Sequence, residues 1–197
     1  MYKRFFKRLI DIFIGLVALP FVLLAIIVLA PIIYFTDRGP VFYNAYRAGK
    51  DYKPFKMFKL RSMYVNSPDL KNPDGSTYNS DDDPRVTPIG RFMRKTSLDE
   101  FPQFLNVLKG DMSLVGPRPE RPFYVDKFKE EIPRYMIKHQ VRPGITGWAQ
   151  VNGYRGDTSI NKRIECDLYY IENWTLFFDF KILVYTVFKG FVNKNAY

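Results

Sequence analysis

The longest feature of the hydrophobic pattern lies near the start of the chain, where residues 12–36 form 25 consecutive uncharged positions, mostly Ile, Leu, Val, Phe and Ala. As a straight helix this run would be about 37 Å long, which exceeds the roughly 30 Å of hydrocarbon in a bilayer. A cleaved signal peptide is a competing interpretation, but the run is too long and no Ala-x-Ala-like cleavage site follows it. We therefore expect a retained membrane segment.

Basic residues flank this run on both sides: Lys3, Arg4, Lys7 and Arg8 before it, and Arg38, Arg47, Lys50, Lys53, Lys56, Lys59 and Arg61 after it. Because cytoplasmic flanks collect Lys and Arg, both ends are predicted to face the cytoplasm. A re-entrant hairpin over residues 1–36 satisfies both flanks. Pro20 would break the helix at its turn, because proline has no backbone N–H. A kinked transmembrane helix is the alternative that the local sequence leaves open.

The rest of the chain, residues 37–197, reads as one catalytic domain of short elements. Short extended pieces are predicted over 41–46 and 55–63, and a polar surface loop over 66–83. Helical spacing returns over 89–109, interrupted near Ser97, and over 126–141. Residues 174–191 combine many aromatic residues with few charges, which indicates an interfacial amphipathic helix or, equally, one packed on the core. The expected fold class is α+β, predominantly helical, with one compact domain.

Charge and composition exclude several classes of function. The formal net charge is +10, but residues 1–61 carry eleven Lys and Arg against three Asp, so most of the excess flanks the apolar run. A nucleic-acid-binding protein would spread this excess over its folded part, so no nucleic-acid partner is expected. The single cysteine excludes an intramolecular disulfide framework, and the single histidine excludes a multi-histidine zinc site.

Two adjacent carboxylates, Asp99 and Glu100, follow two cations and two hydroxyl residues. Ser97-x-x-Glu100 matches a helix capping box, which alone would explain these residue types. The functional alternative is that one carboxylate attacks phosphorus while its neighbour holds magnesium near the substrate phosphates, since adjacent residues of a helix point about 100° apart. Candidate phosphate-binding cations are Lys59, Arg85, Arg91, Arg94, Arg118, Arg142 and Arg155.

Two loops rich in Gly and Pro also carry arginine, at 110–120 and 142–153. A structural loop requires Gly and Pro but not Arg, Gln and Asn at the same corners, so these loops favour a polyanion pocket.

Five motifs taken together resemble the monotopic phosphoglycosyl transferases of bacteria. They are the apolar N-terminus with Pro20, Asp83-Pro84-Arg85-Val86-Thr87, Leu98-Asp99-Glu100-Phe101-Pro102-Gln103, Gly116-Pro117-Arg118-Pro119 and Arg142-Pro143-Gly144-Ile145-Thr146-Gly147. The resemblance covers essentially the whole chain. It implies transfer of a sugar 1-phosphate from a UDP-sugar to polyprenol (undecaprenyl) phosphate at the cytoplasmic membrane. UMP is released, and this step initiates glycan or glycoconjugate assembly.

The resemblance also implies roles for individual residues. Asp99 would be the nucleophile that forms a covalent phosphosugar intermediate, and Glu100 would bind Mg²⁺. Many family members have a hydrophilic residue before the break proline, whereas this chain has Leu19. Long members carry further segments ahead of this unit, whereas this chain begins almost directly at the apolar run, so a minimal catalytic unit is expected. Phosphate or nucleotide contacts are implied for Lys59, Arg94, Arg118, Arg142 and, less directly, Arg155, with a supporting acidic role for Asp167.

A different class of function remains open from the residues alone: a non-catalytic, membrane-anchored module that binds an acidic partner. The Asp-Glu pair beside several arginines argues for the enzyme instead. The sequence identifies neither the sugar nor the oligomeric state.

Overall fold

The computed structural model describes residues 2–70, 78, 82–155 and 158–190. Helices dominate this part of the chain and two small sheets complete it, so the expected α+β, predominantly helical class is confirmed. The helices are α1 (Tyr2–Asp37), α2 (Pro88–Thr96), α3 (Gln103–Lys109), α4 (Pro122–Glu131), α5 (Trp148–Val151), α6 (Ile160–Glu172) and α7 (Leu176–Gly190), and the strands are β1 (Ala45–Ala48), β2 (Pro54–Met57), β3 (Ser113–Val115) and β4 (Gly144–Thr146).

Helix α1 contains the apolar run and continues one residue beyond the predicted boundary at 36. Helical conformation runs through both Pro20 and Pro31, so the predicted break into two separate helices is not found. A proline inside a helix removes one hydrogen bond and tends to kink the axis, but the turns on either side keep their own bonds. Among the described residues, α1 is the one helix long and apolar enough to cross a membrane.

Both ends of α1 are bound to the same folded domain. Near its start, Arg8 Nη1 donates to the Val107 carbonyl of α3, and Asp11 Oδ1 accepts from Leu114 N of β3 at 3.0 Å. Near its end, Leu29 and Ile33 pack against buried side chains that include Met93 of α2. Contacts recur along one stripe of α1, while the opposite face leaves large apolar side chains exposed.

The two sheets have different connectivity. Strands β1 and β2 are antiparallel, with Ala45 opposite Met57, and overlap the predicted extended pieces 41–46 and 55–63 only in part. Strands β3 and β4 are parallel, with Ser113 opposite Gly144, so the chain between them makes a crossover through α4. This parallel pair brings the two Gly/Pro/Arg loops of the sequence side by side.

The predicted helical regions are found, with different boundaries. Residues 89–109 form α2 and α3, separated at Ser97 as expected. The helix predicted over 126–141 is two elements in the structure. Helix α4 begins earlier, at Pro122, and the second element is the 3-10 helix Tyr135–Gln140. Most of the predicted loop at 66–83 lies outside the described residues.

Helix α7 combines the two alternatives left open by its sequence. Ile182 is fully buried in the cluster that also contains Val107 and Leu114. Phe177 and Phe188 are at least 70% exposed, and Phe180 is 62% exposed. One face of α7 therefore packs on the domain and the other presents aromatic rings outward.

Candidate active site

The adjacent carboxylates lie on a short turn between two helices. Leu98–Glu100 form a single 3-10 turn that follows α2, and both Asp99 and Glu100 are buried. Ser97 caps the C-terminus of α2 in the left-handed region, with φ of 56°, and its side chain makes no capping hydrogen bond. The predicted Ser97-x-x-Glu100 capping box is therefore wrong: Ser97 is the C-cap of α2 and also precedes the 3-10 turn, but its hydroxyl caps neither element.

Lys59 joins the two carboxylates. Its Nζ lies 2.8 Å from Asp99 Oδ2 and 3.5 Å from Glu100 Oε1. The backbone supports this placement, because Leu60 N donates to the Asp99 carbonyl at 2.9 Å. Although adjacent residues of a regular helix diverge, the 3-10 turn lets one ammonium reach both carboxylates.

The environments of the two carboxylates differ. Besides Lys59, Glu100 Oε1 is 2.8 Å from Arg118 Nη2 and 3.4 Å from Arg155 Nη2. Burial alone would raise the pKa of Glu100, but Arg118, Arg155 and Lys59 together hold it well below its usual range. In turn, the Glu100 carboxylate raises the pKa of Arg118. Among the described residues, Asp99 has Lys59 as its one ion-pair partner.

A positioning residue that the sequence analysis did not single out is Asn106 of α3. It is fully buried, its Oδ1 accepts from Phe58 N at 2.9 Å, and its Nδ2 donates to the Lys56 carbonyl at 2.8 Å. These bonds fix the backbone immediately before Lys59 against the helix that follows Asp99. The sequence feature that could have identified Asn106 is a polar residue at a helical position where an apolar residue is expected.

Arg118 owes its position to the parallel sheet. Gly116 N donates to the Thr146 carbonyl at 2.9 Å, and Gly144 N donates to the Pro117 carbonyl at 2.9 Å. A Cβ atom at Gly144 would lie 2.1 Å from Gly116 N, so the two loops approach too closely for any side chain there. The glycines thus allow the backbone contact that directs Arg118 to Glu100.

These groups face a cavity of about 570 Å³. Asp99 and Glu100 lie on its wall, and basic side chains predominate around them. The basic residues that line it are Arg47, Lys59, Arg61, Arg85, Arg94, Arg118, Arg121 and Arg155, and its acidic residues are Asp69, Asp99 and Glu100.

Several predicted residues are therefore brought together. Lys59, Arg118 and Arg155 contact the carboxylates, and Arg94 lines the cavity while its Nε donates to Ser62 Oγ at 3.0 Å. Arg85 also lines the cavity and forms a buried ion pair with Asp83 at 2.7 Å, which links one motif of the sequence to this site.

Three predicted residues lie elsewhere. Arg91 is exposed on α2 and does not line the cavity. The Arg142 side chain is directed to the C-terminus of α3, where its Nε donates to the Gly110 carbonyl at 2.8 Å. Asp167 lies in a separate buried cluster, 3.0 Å from Lys138 Nζ, and burial raises its pKa despite that ammonium. Neither Arg142 nor Asp167 lines the cavity, because each is held by a closer partner. Conversely, the sequence analysis missed Arg47 and Arg121 as lining residues, since neither lies in a distinctive motif.

The carboxylate pair supplies oxygen ligands of the kind that Mg²⁺ prefers. Among the described residues, no group of three or more His, Cys, Asp or Glu side chains could enclose a metal ion. In phosphate chemistry, however, Mg²⁺ is commonly held by one or two carboxylates together with substrate phosphates and water. The donor set of Asp99 and Glu100 beside an anion cavity fits this second kind of site.

Several known proteins are similar to this chain over nearly its whole length. The chain is 46% identical over 199 residues to a UDP-glucose:undecaprenyl-phosphate glucose-1-phosphate transferase of Escherichia coli K12, covering 99% of this chain and 42% of that protein. It is 44% identical to a UDP-N-acetylgalactosamine-undecaprenyl-phosphate N-acetylgalactosaminephosphotransferase of Aeromonas hydrophila, covering 95% and 44%.

A third relative, a UDP-glucose:undecaprenyl-phosphate glucose-1-phosphate transferase of Caulobacter vibrioides, is 42% identical over 97% of this chain and 72% of its own length. The chain spans less than half the length of the first two relatives. The family model described as bacterial sugar transferase matches residues 2–193, and this chain therefore belongs to the bacterial sugar transferase family.

Proposed function

We propose that this chain transfers a sugar 1-phosphate from a UDP-sugar to undecaprenyl phosphate, or a similar polyprenol phosphate, with release of UMP. The observation that carries the proposal is the buried Asp99-Glu100 pair on the wall of a cavity lined by eight basic residues. Such a cavity suits a diphosphate donor, and relatives that are 46% and 44% identical to this chain bear the names of such transferases. The product would initiate assembly of a membrane-linked glycan.

In the proposed mechanism, Asp99 is the nucleophile. One carboxylate oxygen attacks the phosphorus that bears the sugar, and the bond to the bridging oxygen breaks, so that UMP leaves and an aspartyl phosphosugar remains. The polyprenol phosphate then attacks the same phosphorus and restores the carboxylate. Lys59, 2.8 Å from Asp99, orients the nucleophile and offsets charge on the transferred phosphoryl group.

The arginines stabilise the phosphates during transfer. Arg118 and Arg155 are held in place by Glu100, so their remaining N–H groups are pre-organised for an anion. We propose that Glu100, with the substrate phosphates, holds Mg²⁺, which supplies charge neutralisation when bound. The depressed pKa of Glu100 keeps its carboxylate ionised for that role.

We further propose that the chain is monotopic, inserted in the cytoplasmic leaflet of the bacterial inner membrane by a re-entrant α1. Residues 11 and 37 are about 39 Å apart along a straight helix, which exceeds the roughly 30 Å of hydrocarbon. If α1 crossed, the domain bound at both ends would also have to cross, with its charged groups in lipid. In this proposal Pro20 bends the helix without interrupting it, and the exposed rings of α7 lie at headgroup depth.

The decisive test of function is UMP release by purified protein from a panel of UDP-sugars with undecaprenyl phosphate and magnesium. The Asp99→Asn variant should lose activity by on the order of 10³-fold or more, and the aspartyl adduct trapped by mass spectrometry in the wild type should be absent. Asp51→Asn, which removes a carboxylate with a side chain 60% exposed, is the matched control and should remain active. Normal turnover by Asp99→Asn would exclude the covalent intermediate, and no UMP from any donor would favour the non-catalytic binding module.

Topology is tested independently by labelling. In a Cys166→Ser background, Lys3→Cys and Lys50→Cys should both react with a membrane-impermeant maleimide from the cytoplasmic face only. Reaction of the two positions from opposite faces would contradict the monotopic arrangement.

A further inference from the structure

Most cations of the cavity already have an acidic partner. Lys59 is paired with Asp99, while Arg118 and Arg155 are paired with Glu100. Arg61 and Arg85 are likewise paired, with Asp37 and Asp83. Among the described residues, Arg47 and Arg121 have no carboxylate within the 4.0 Å that defines an ion pair.

These two arginines are held next to each other by the backbone. Arg47 lies on β1, and the next residue, Ala48, donates its N–H to the Glu120 carbonyl at 2.9 Å. Arg121 follows directly and is the N-cap residue of α4. The register of this contact therefore brings Arg47 to Arg121 at the edge of the cavity that also contains Arg118.

The charge of this pair is not neutralised by nearby groups. Arg47 Nη1 is buried and has no hydrogen-bond partner. Burial and the neighbouring guanidinium of Arg121 lower the pKa of Arg47 to about 10. Among the carboxylates, Glu120 has the largest effect on the pKa of Arg47, but it is bound to Arg163 at 3.0 Å. A half-buried guanidinium that lines a cavity and has one buried nitrogen without a partner is a site for an anion supplied by a ligand.

The chemistry of phosphoryl transfer restricts which anion this is. At phosphorus, the attacking and leaving oxygens lie roughly in line on opposite sides. Asp99 is the attacking group in the first step of the proposed reaction and the leaving group in the second. The departing nucleotide phosphate and the incoming polyprenol phosphate must therefore occupy the same side of phosphorus, opposite Asp99.

We propose that Arg47 and Arg121 form one phosphate subsite that holds first the phosphate of departing UMP and then the phosphate of the incoming polyprenol. This inference rests on the proposed function and specifies where its two substrates meet. In the first step the electrons of the bond to the bridging oxygen stay on the UMP phosphate, whose added negative charge these guanidinium groups stabilise. In the second step an oxygen of the lipid phosphate, held at the same place, bonds to phosphorus as the Asp99 oxygen leaves. Neither step needs a proton or an electron from outside the two substrates and Asp99.

The test measures the two half-reactions separately. Stoichiometric UMP release without acceptor reports the first, and transfer from the isolated adduct to undecaprenyl phosphate in vesicles reports the second. Arg47→Gln and Arg121→Gln should each slow both half-reactions by about 10- to 100-fold, the cost of one charge-assisted contact. Lys56→Gln removes an equal charge from an exposed position outside the cavity and should change neither rate.

Measurements of ligand binding provide a second test of the shared subsite. UMP should displace farnesyl phosphate competitively from the wild-type protein, and both affinities should fall together in Arg47→Gln and Arg121→Gln. Arg47→Lys, with an unchanged thermal midpoint, should partly restore them, which separates lost binding from lost folding. Simultaneous binding of the two ligands, or slowing of only one half-reaction, would overturn the shared subsite while UMP release by the wild type still upheld the proposed function. Failure of the wild type to release UMP would instead contradict the proposed function itself.

Discussion

The Lys7 ammonium lies 2.6 Å from Asp179 Oδ2, so an ion pair joins the beginning of α1 to α7. The same ammonium donates to the Val115 carbonyl of β3 at 3.0 Å, and Asp179 also accepts from Tyr170 and Trp174. At the other end of α1, Arg61 donates to Asp37 at 2.6 Å. The apolar helix is therefore fixed at both ends by charged groups of one domain.

Breaking the first of these contacts should loosen α1. Lys7→Met leaves the largely buried Asp179 carboxylate without its cation, and the expected loss of stability is about 2 kcal/mol. Arg134→Met removes a pair whose side chains are 58% and 50% exposed, and should cost less than about 1 kcal/mol. Thermal unfolding in one detergent measures both. Equal midpoints for the two variants would show that the Lys7 contact does not secure the helix.

Acidification should destabilise the protein through His139. Burial, and next the adjacent Lys138 charge, lower the pKa of His139 to about 4, although its Nδ1 lies 3.2 Å from the Gly49 carbonyl. The unfolded chain, with a pKa of about 6.5, then binds more protons than the native state between pH 6.5 and 4. Stability is thus retained above pH 6.5 and falls by about 2–3 kcal/mol as the pH decreases to 4.

The measurement is urea unfolding at several pH values. His139→Gln, which has no titrating ring, should lose that part of the acid dependence, whereas the carboxylate-dependent part persists at lower pH. Identical pH dependence of the wild type and His139→Gln would mean that the histidine is not held neutral by the fold.

Glu100 is expected to set the magnesium requirement. Glu100→Gln keeps the size of the side chain but removes the charge that attracts a cation and holds Arg118 and Arg155. We expect UMP release to fall by roughly 10²-fold and the half-saturating magnesium concentration to rise. Glu130→Gln, on the exposed face of α4, is the control. An unchanged magnesium titration for Glu100→Gln would remove Glu100 as a ligand.

The close approach of β3 and β4 should tolerate no side chain. A Cβ at Gly116 would lie 2.5 Å from the Arg142 carbonyl oxygen and 2.9 Å from Gly144 N. Gly116→Ala should therefore separate the strands, cost about 3 kcal/mol and displace Arg118, with loss of activity. Gly153→Ala tests positive φ alone, because nothing lies within 4 Å of that position; it should cost about 1–2 kcal/mol and leave turnover near normal. Equal activity losses in the two variants would contradict the packing explanation.

The sequence predicted a secondary-structure element correctly where neighbouring residues alone carry the pattern. The interruption near Ser97, the aromatic helix near the C-terminus and the apolar N-terminal helix all follow from runs of neighbouring residues. The prediction of a capping box was wrong because the same Ser-x-x-Glu spacing also occurs where one helix ends in a left-handed residue. The predicted helix break at Pro20 is not found because packing and the neighbouring turns can keep a helix intact around one missing hydrogen bond.

Residues adjacent in the chain were enough to predict the long apolar helix, the α+β class and the carboxylate pair. Tertiary packing sets which cations surround that pair. It brought Lys59, Arg118 and Arg155 to Glu100, added Arg47 and Arg121, and directed Arg142 to a helix end instead. Every surface arginine has the same local sequence pattern, whereas contact with a carboxylate depends on packing between segments far apart in sequence.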